Sequence, residues 1–284
     1  MHSNARNRAR LLTAALAVVA LPATALPASG QALAAAEPAC TSSANPALAK
    51  KLATDIAAAL KGRQGTAAVS LRYPGAGLSC TLNAGRQFQS ASVIKVTILA
   101  AVLRKAQDAG RSLTAQEKQW ATAMITKSDN DSATALWDSV TAAGMKKFMA
   151  LAGMRGTTID SSGWWGKTHI TAADQMTMLT LLTTNNSVLT AASKSYILDL
   201  MGKVVAGQRW GTPVGAPAGT TVRVKNGWVD RGDGVGWRIN SLGVFSGKGK
   251  DYQIAVLTEG NSSESYGHRT IEGVATAIHK DLNS

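Results

Sequence analysis

The chain has 284 residues, 45% of them hydrophobic and 17% charged, and its formal net charge is +13. This composition is typical of a globular protein with a substantial core, organised as one large domain or two small lobes. The lysines and arginines are scattered and no aromatic-basic motif accompanies them, so nucleic acid is not expected as a partner.

The first 34 residues have the pattern of a secretory signal peptide. MHSNARNRAR contains three arginines and no acid, an apolar run broken by Pro22 follows, and small residues around 32–34 resemble a cleavage site. A membrane anchor is the alternative, but the apolar run is short for a span. We therefore expect residues 1–34 to be removed and the mature chain to be secreted, outside the cell or at the cell wall, without membrane attachment.

Removal of the signal peptide would take away three arginines and no acid, so the net charge would fall from +13 to +10. A basic surface of this kind favours anionic surroundings such as a cell wall, and solubility alone is the other explanation. We expect a monomer.

Two cysteines, Cys40 and Cys80, are present. In an exported protein an even pair permits a disulfide, which would tie the N-terminal segment 35–44 to the start of the domain. The alternative is two free thiols. A catalytic cysteine is not expected.

Periodicity then gives the elements in chain order. Residues 45–61 have helical spacing, with Asn45 as the cap and Pro46 in the first turn. Residues 66–73 alternate like a strand, and residues 79–84 could pair with it across a Pro-Gly turn.

A block of helices follows, and then strands return. The predicted helices are 92–109, 114–127, 131–140, 142–152, 172–184 and 189–204. The later strands are 220–226, 236–245 and 252–258, and a helix over 267–282 ends the pattern.

This order predicts an α/β fold of the α+β type. Two early strands alone would leave a face unburied, so the early and late strands must share one antiparallel sheet, covered by the first and last helices. The sheet lobe would comprise about 45–90 and 205–284, and an all-helical lobe about 91–204, within a domain over 45–284. The groove between the lobes is the expected place for a site.

Ser92 and Lys95 stand three residues apart at the start of a predicted helix. At this spacing both side chains share one helix face, so the amine can approach the hydroxyl. A partly desolvated lysine can take the proton of a serine, and a helix N-terminus favours an oxyanion. The alternative is a serine that caps the helix beside an exposed lysine.

Ser128, Asp129 and Asn130 lie between two predicted helices. One interpretation is a helix cap, for which these residue types are favoured. The functional interpretation is that Ser128 passes a proton to a leaving group while the Asn130 amide holds a substrate carbonyl. This tripeptide is much rarer by chance than the Ser-x-x-Lys pattern.

Lys225, Asn226 and Gly227 end the predicted strand over 220–226. A strand there could offer its backbone to an extended substrate, with glycine permitting close approach and Lys225 placing positive charge near Ser128. A hairpin turn is the alternative, because Asn-Gly is a favoured turn dipeptide.

In this order, SASVIK, SDN and the strand lysine-x-glycine resemble the motifs of the penicillin-recognising serine enzymes, and most closely those of class A β-lactamase-like serine hydrolases. The resemblance covers roughly residues 45–282. It implies a β-lactamase/transpeptidase-like fold with the active site in the groove.

The resemblance also implies roles for single residues. Ser92 would be the acylated nucleophile, Lys95 its base, Ser128 a proton shuttle and Asn130 a ligand of the substrate amide. On the late strands, Lys225 would set the electrostatics and Gly227 would permit close approach of the substrate. The N–H of Trp228, the residue after this glycine, would form the oxyanion hole with the N–H of Ser92. Arg238 would meet a substrate carboxylate or else be a plain surface arginine.

Three features depart from the family pattern. Asn226 replaces the usual hydroxyl residue between the strand lysine and glycine, and the interval from Ser92 to Ser128 is short. The family also depends on a glutamate that activates the deacylating water, and no glutamate lies between 118 and 258.

The loop over 157–175 offers few substitutes for that glutamate. Asp160 could activate water, whereas Asp174 is explained by a helix start. His169 could serve but is more simply a packing or surface residue. Trp164 and Trp165 would line the groove or fill the space of a longer loop.

We therefore expect an exported serine hydrolase that acts through an acyl-serine on a β-lactam or a related amide. The alternatives are a penicillin-binding-type D-alanyl peptidase or esterase with slow deacylation, and a non-catalytic cell-wall binding domain. The partner would be a small β-lactam or a cell-wall peptide. No cofactor and no metal are expected, because the four histidines show no ligand spacing.

Overall fold

The computed structural model describes residues 37–247 and 249–284. The expected signal peptide, residues 1–34, lies outside the described residues, so its prediction stands as made. The described residues form seven α-helices and eight β-strands: β1 (Ala39–Ser42), α1 (Pro46–Leu60), β2 (Thr66–Tyr73), β3 (Leu78–Leu82), β4 (Gln87–Gln89), α2 (Lys95–Asp108), α3 (Ala115–Thr126), α4 (Asn130–Leu151), β5 (His169–Thr171), α5 (Ala172–Thr183), α6 (Ala191–Gly202), β6 (Thr221–Val229), β7 (Trp237–Gly247), β8 (Lys250–Asn261) and α7 (Glu264–Asn283).

Six strands form one antiparallel sheet in the order β1-β3-β2-β8-β7-β6. The early strand β2 pairs with the late strand β8, from Thr66 opposite Glu259 to Arg72 opposite Gln253. The prediction that early and late strands share a sheet is confirmed. The order also makes β6 an edge strand of this sheet.

Both faces of the sheet are covered by helices. On β8, Ile254 points into a core shared with Ile56 of α1 and Ile271 of α7, and Leu257 points into the core of the helical block with Leu136 of α4. All five side chains are fully buried. Because side chains alternate along a strand, one strand supplies both cores. This confirms the predicted fold class.

Local sequence signals explain where several helices begin. The Asn45 side chain accepts a hydrogen bond of 3.0 Å from the Leu48 backbone N–H, and Pro46 occupies the first helical position of α1. Thr114 and Glu117 form a capping box at α3. The predicted helices at these positions are confirmed.

The predicted break between residues 140 and 142 is also confirmed, as a kink within α4. Thr141 has φ 68° and ψ 159°, which is outside the helical region. The kink divides α4 into two helical halves.

The sequence analysis missed three short strands. β1 pairs with β3, Cys40 lies opposite Cys80, and the two cysteines form a disulfide. β4 and β5 form a separate two-stranded sheet that pairs Gln89 with His169. None of these strands has an alternating apolar pattern long enough to stand out.

Among the described residues, no helix has both the length and the apolar character that a membrane crossing needs.

Candidate active site

Ser92 lies in a 3₁₀ turn, Ala91–Ile94, that leads directly into α2. The α-helix starts at Lys95, so the prediction of a helix that begins near Ser92 is off by one turn. Ser92 forms no side-chain cap, and Lys95 is fully buried. The alternative of a capping serine beside an exposed lysine is therefore wrong.

Asn240 of β7 holds this turn in place. Its Nδ2 donates to the carbonyl oxygens of Gln89 (2.9 Å) and Ser90 (3.0 Å), just before Ser92. Its Oδ1 accepts from the Thr258 backbone N–H at 3.3 Å. The sequence analysis missed this residue, although a polar amide inside an apolar strand was a usable signal.

Gly227 brings β6 against the same turn. A Cβ at this position would lie 2.6 Å from the Ser92 nitrogen and 2.8 Å from the Val93 nitrogen, so only glycine fits. Gly227 pairs with Asn240 across the two strands. The strand also continues to Val229, so the Asn-Gly pair lies inside β6 and the hairpin-turn alternative is wrong.

The Lys95 ammonium forms three hydrogen bonds, all toward the SDN segment. Nζ donates to the Ser128 carbonyl oxygen (2.6 Å), to Ser128 Oγ (3.3 Å) and to Asn130 Oδ1 (2.8 Å). Within the described residues, no hydrogen bond joins it to the Ser92 hydroxyl. The structure thus brings Lys95 to Ser128, and the roles of Lys95 as the base for Ser92 and of Ser128 as a proton shuttle stay predictions.

Burial determines the charge state of Lys95. It lowers the pKa of the ammonium to about 7, although the negative charge of Asp129 acts in the opposite direction. The face of the Trp165 indole covers the ammonium, with 4.7 Å from Nζ to the ring centroid. A substantial fraction of Lys95 is therefore neutral near pH 7.

Lys225 approaches Ser128 from the sheet. Its Nζ donates to Ser128 Oγ at 3.1 Å and to the Asn226 carbonyl oxygen at 2.8 Å. Burial, and the nearby charge of Lys95, hold the pKa of Lys225 well below its usual value. The predicted proximity of Lys225 to Ser128 is confirmed, and the Ser128 hydroxyl lies between two buried amines.

The backbone of the SDN segment is unusual. Ser128 has φ 58°, in the left-handed region that non-glycine residues rarely adopt. Asp129 caps α4 by accepting from the Ser132 N–H at 2.8 Å. The cap interpretation is thus correct for Asp129, and the same turn exposes Asn130 and points Ser128 toward the lysines.

Asn226 and Trp228 point away from the lysines. Asn226 Nδ2 donates to the backbone carbonyls of Gln208 (2.9 Å) and Trp210 (2.8 Å), so its amide braces the segment before β6. The Trp228 ring packs edge-on against Trp210, 5.8 Å between centroids. These side chains build the opposite face of the sheet, and only the backbone of Trp228 remains for the oxyanion hole.

Arg238 is almost completely buried rather than a plain surface residue. Its two terminal nitrogens each donate to Asp233, at 2.7 Å. The predicted role of Arg238 as a ligand of a substrate carboxylate stays a prediction, because such a carboxylate would have to displace Asp233.

The loop over 157–175 places no free acid at Lys95. Asp160 accepts from the backbone and hydroxyl of Ser162, at 3.0 and 2.5 Å, and these bonds lower the pKa of its carboxyl. Asp174 accepts from the Thr157 hydroxyl at 2.6 Å, in the first turn of α5. His169 is held in β5 by backbone hydrogen bonds to Thr158.

Histidines, cysteines and acids do not gather into metal sites here. Groups of three or more such side chains that could hold a metal ion do not occur in the described part of the chain.

Comparisons with known proteins agree with this arrangement. A family model described as "Beta-lactamase enzyme family" matches residues 51–119 and 113–282. A search of curated proteins found no match.

Solved structures with the same fold include several that carry the β-lactamase name. A β-lactamase from Xanthomonas campestris is 19% identical with a TM-score of 0.69, and the match covers 82% of this chain and 97% of that one. The TLA-1 extended-spectrum β-lactamase is 18% identical with a TM-score of 0.73, covering 83% and 99%. A class A representative from Bacteroides cellulosilyticus is 17% identical with a TM-score of 0.72, covering 82% and 98%.

Proposed function

Because this chain belongs to the beta-lactamase enzyme family and is a β-lactamase-like serine hydrolase, we propose that it works through an acyl-Ser92 intermediate. The observation that carries the proposal is the pair of buried lysines, Lys95 and Lys225, that both donate to Ser128 Oγ. Buried amines with strongly lowered pKa values are costly for stability and concentrate at functional sites. The substrate would be a β-lactam or a related amide.

Acylation would use these groups in sequence. Neutral Lys95 takes the proton of the Ser92 hydroxyl, whose oxygen attacks the substrate carbonyl carbon. As the carbon–nitrogen bond breaks, Ser128 gives its proton to the leaving nitrogen and is reprotonated by a neighbouring ammonium. Lys95 must first turn from Ser128 and Asn130 toward Ser92, a movement that substrate binding at Asn130 would favour.

The oxyanion and the substrate amide would be held mainly by backbone groups. The N–H groups of Ser92 and Trp228 are the proposed oxyanion donors, since the Ser92 turn and β6 are in direct contact at Gly227. The Asn130 amide nitrogen forms no hydrogen bond among the described residues and would donate to the substrate carbonyl. The edge strand β6 would pair with an extended peptide.

A second candidate function has specific support. Trp165 covers Lys95, and Asp160 is engaged by Ser162, so no side chain on this loop is placed to activate a deacylating water. Loss of general-base help slows a step by about 10²–10⁴-fold. The acyl-enzyme would then accumulate, as in a penicillin-binding-type D-alanyl peptidase or esterase.

A chromogenic cephalosporin and the intact mass of the protein test both functions. A covalent mass increase that is lost in Ser92→Ala supports the acyl-serine mechanism. Fast colour change with little adduct favours a lactamase, and persistent adduct favours slow deacylation. No adduct and no turnover with any β-lactam would overturn the β-lactam proposal.

A non-catalytic cell-wall binding domain is the remaining alternative. Binding alone does not need two buried lysines at a serine hydroxyl. A fluorescent penicillin or a fluorophosphonate label distinguishes the two, because a pure binder takes up neither.

Export is also part of the proposal. The N-terminal pattern supports it, and so does the Cys40–Cys80 disulfide, a bond that persists in oxidising compartments. Secretion of a mature form that starts near residue 35, found by N-terminal sequencing, is the expected result. A monomer is the proposed state, to be checked by light scattering.

A further inference from the structure

Trp165 covers one side of the Lys95 ammonium. The indole face lies 4.7 Å from Nζ, a distance typical of a cation–π contact. Lys95 has no exposed surface, and Trp165 is only 5% exposed. The other side of the ammonium is occupied by Ser128 and Asn130, which accept its hydrogen bonds.

The ring is held from two directions. Its Nε1 donates to Thr134 Oγ1 of α4 at 3.1 Å. The Trp165 carbonyl accepts from the Ser90 hydroxyl at 3.4 Å, and the Ser90 N–H donates to the Thr168 carbonyl at 2.8 Å. The indole is therefore tied to the helical block, and the backbone that carries it is tied to the segment before Ser92.

Two charged groups act on Lys95 from the elements around it. Asp129, before α4, favours the ammonium of Lys95, and the amine of Lys225 on β6 lies on the other side of Ser128, with a pKa that burial and the charge of Lys95 lower. The loop that carries Trp165 brings an aromatic face to Lys95. Water therefore cannot hydrate the Lys95 amine from the side that the Trp165 ring covers.

We propose that Trp165 is a positioning residue that acts through Lys95: its ring keeps water from the ammonium, which favours acylation of Ser92 and withholds the water that would release the acyl group. This inference rests on the proposed acyl-serine mechanism. Release needs water to add to the ester carbonyl, give its proton to a base and expel the Ser92 oxygen, which regains a proton. On the side of Lys95 that it covers, the indole takes the place of a base or a water for that step.

The first test is the pH profile of acylation, measured by intact mass with a penicillin. Wild-type acylation should rise with pH and level off, with a midpoint near the pKa of Lys95, about 7. In Trp165→Ala the ammonium loses the cation–π contact but gains water, and because hydration favours the charge more than one ring face does, the midpoint should move up by about one unit or more. In Trp165→Phe, which keeps an aromatic face, it should stay within about half a unit of wild type.

A merely structural role gives a different result. It would lower the acylation rate of Trp165→Ala by the same factor at every pH and leave the midpoint unchanged, and this outcome would overturn the inference. Thr134→Val removes the hydrogen bond to the indole and also the one that this hydroxyl donates to the Asn130 carbonyl at 3.1 Å. It should shift the midpoint in the same direction as Trp165→Ala but by less.

The second test adds a base where the ring now lies. Trp165→Glu should release the acyl group about tenfold or more faster than Trp165→Gln. Glutamine has nearly the same size as glutamate but lacks the carboxylate that acts as a base. Equal release rates in two folded variants would contradict the inference. If circular dichroism shows that Trp165→Glu does not fold, the pH profile of Trp165→Ala decides.

Failure of the inference and failure of the proposed function are distinguishable. If wild type forms no adduct at Ser92, the acyl-serine mechanism is wrong. If wild type is acylated and the Trp165 variants show neither the shifted midpoint nor the faster release, only the role of Trp165 is wrong.

Discussion

Lys95 and Lys225 are both buried and both bound to the hydroxyl of Ser128. Two cations so close together would repel each other strongly in a medium of low polarity. The molecule limits this repulsion because burial lowers both pKa values and so favours neutral amines. A proton can then pass through Ser128 without creating a new charge.

The motifs identified these two lysines and Ser128, because residue type and spacing suffice to recognise the motif set of a known family. They did not identify Asn240 or Trp165. Asn240 reaches the nucleophile turn only after β7 has paired with β6, and the indole meets Lys95 only when the loop over 157–168 has folded back. Contacts between distant segments leave no local pattern in the sequence.

Gly227 gives the sharpest prediction for a single residue. In Gly227→Ala the new methyl group would overlap the backbone nitrogens of Ser92 and Val93, so β6 and the turn must separate. We expect a stability loss of about 1–3 kcal/mol. Acylation should fall by at least about tenfold, because the oxyanion donors move apart. Urea unfolding and the rate of labelling by a fluorescent penicillin measure the two effects.

Gly207→Ala is the matched control, since a Cβ there meets nothing within 4 Å. If a fluorescent penicillin labels Gly227→Ala at the wild-type rate, acylation does not require close contact between β6 and the Ser92 turn.

At the scale of elements, α4 carries local strain. Thr141 adopts φ 68° and ψ 159°, a region essentially restricted to glycine, at a cost of about 1–3 kcal/mol. Its hydroxyl partly compensates by accepting from the Gly144 N–H at 3.3 Å, which caps the second half of α4. A β-branched residue at this position is thus a compromise between a cap and a bend.

Thr141→Gly should therefore stabilise the protein. It relieves the strain and loses only a few tenths of a kcal/mol of capping, so we expect a gain of about 1 kcal/mol and a rise in Tm of about 2–4 °C. Thr141→Ala keeps the strain and loses the cap, and its Tm should fall. Thermal unfolding of wild type and the two variants measures these changes. A Tm of Thr141→Gly below that of wild type would show that Thr141 is not strained.

The helix α7 is joined to the sheet by a buried histidine. His279 Nε2 donates to the Thr212 carbonyl at 2.8 Å, and in the neutral ring Nδ1 accepts from the Tyr252 hydroxyl, also at 2.8 Å. Burial lowers the pKa of His279, despite the opposite effect of the Thr212 carbonyl. The fold therefore favours the uncharged ring.

This link predicts a loss of stability in mild acid. Since the folded pKa of His279 is below the unfolded value of about 6.5, the stabilisation is complete above that pH and is lost as pH falls through the folded value. His279→Gln should be about 1–3 kcal/mol less stable at pH 7.5, and its stability should decline less between pH 7.5 and 5. Urea unfolding of both proteins at pH 7.5 and at pH 5 measures this. If the free energy of unfolding declines equally in wild type and His279→Gln, the prediction is contradicted.

Most elements were predictable because their apolar periods are long. The strand over 66–73 and the helices capped by Asn45 and Thr114 follow from local signals. The short strands β1, β4 and β5 could not be predicted, because three or four residues are too few to show an apolar period. They form only by pairing with strands from distant parts of the sequence. The start of α2 was missed for a related reason, since the contacts of the Ser92 turn with Asn240 and Gly227 determine its 3₁₀ form.

On the scale of the whole molecule, the disulfide and the site lie at opposite edges of the sheet. β1 and β6 are separated by five strand spacings, about 24 Å. The bond between Cys40 and Cys80 closes a separation of 40 residues. It therefore constrains the unfolded chain without contacting the residues that carry the chemistry.

Removing the disulfide should lower stability and spare the chemistry. For a loop of this length the expected loss is about 4 kcal/mol in the double variant Cys40→Ala, Cys80→Ala. Acylation of the folded variant by a penicillin should stay within about twofold of wild type, because the mutations lie far from the site. Unchanged urea unfolding would show that the disulfide contributes little to the free energy of unfolding. Loss of acylation would show that the disulfide at the β1 edge affects the site at the β6 edge.

The position of β6 has one more consequence, for how the protein behaves in concentrated solution. An edge strand that is open to a peptide substrate is also open to the strand of another molecule, and such edges promote aggregation unless something blocks them. An ionisable side chain that points inward from an edge strand is one of the devices that oppose such pairing, and Lys225 is such a residue. The lysine that serves proton transfer would thus also keep the molecules apart, so replacing it with an apolar residue of similar length should cost solubility as well as activity.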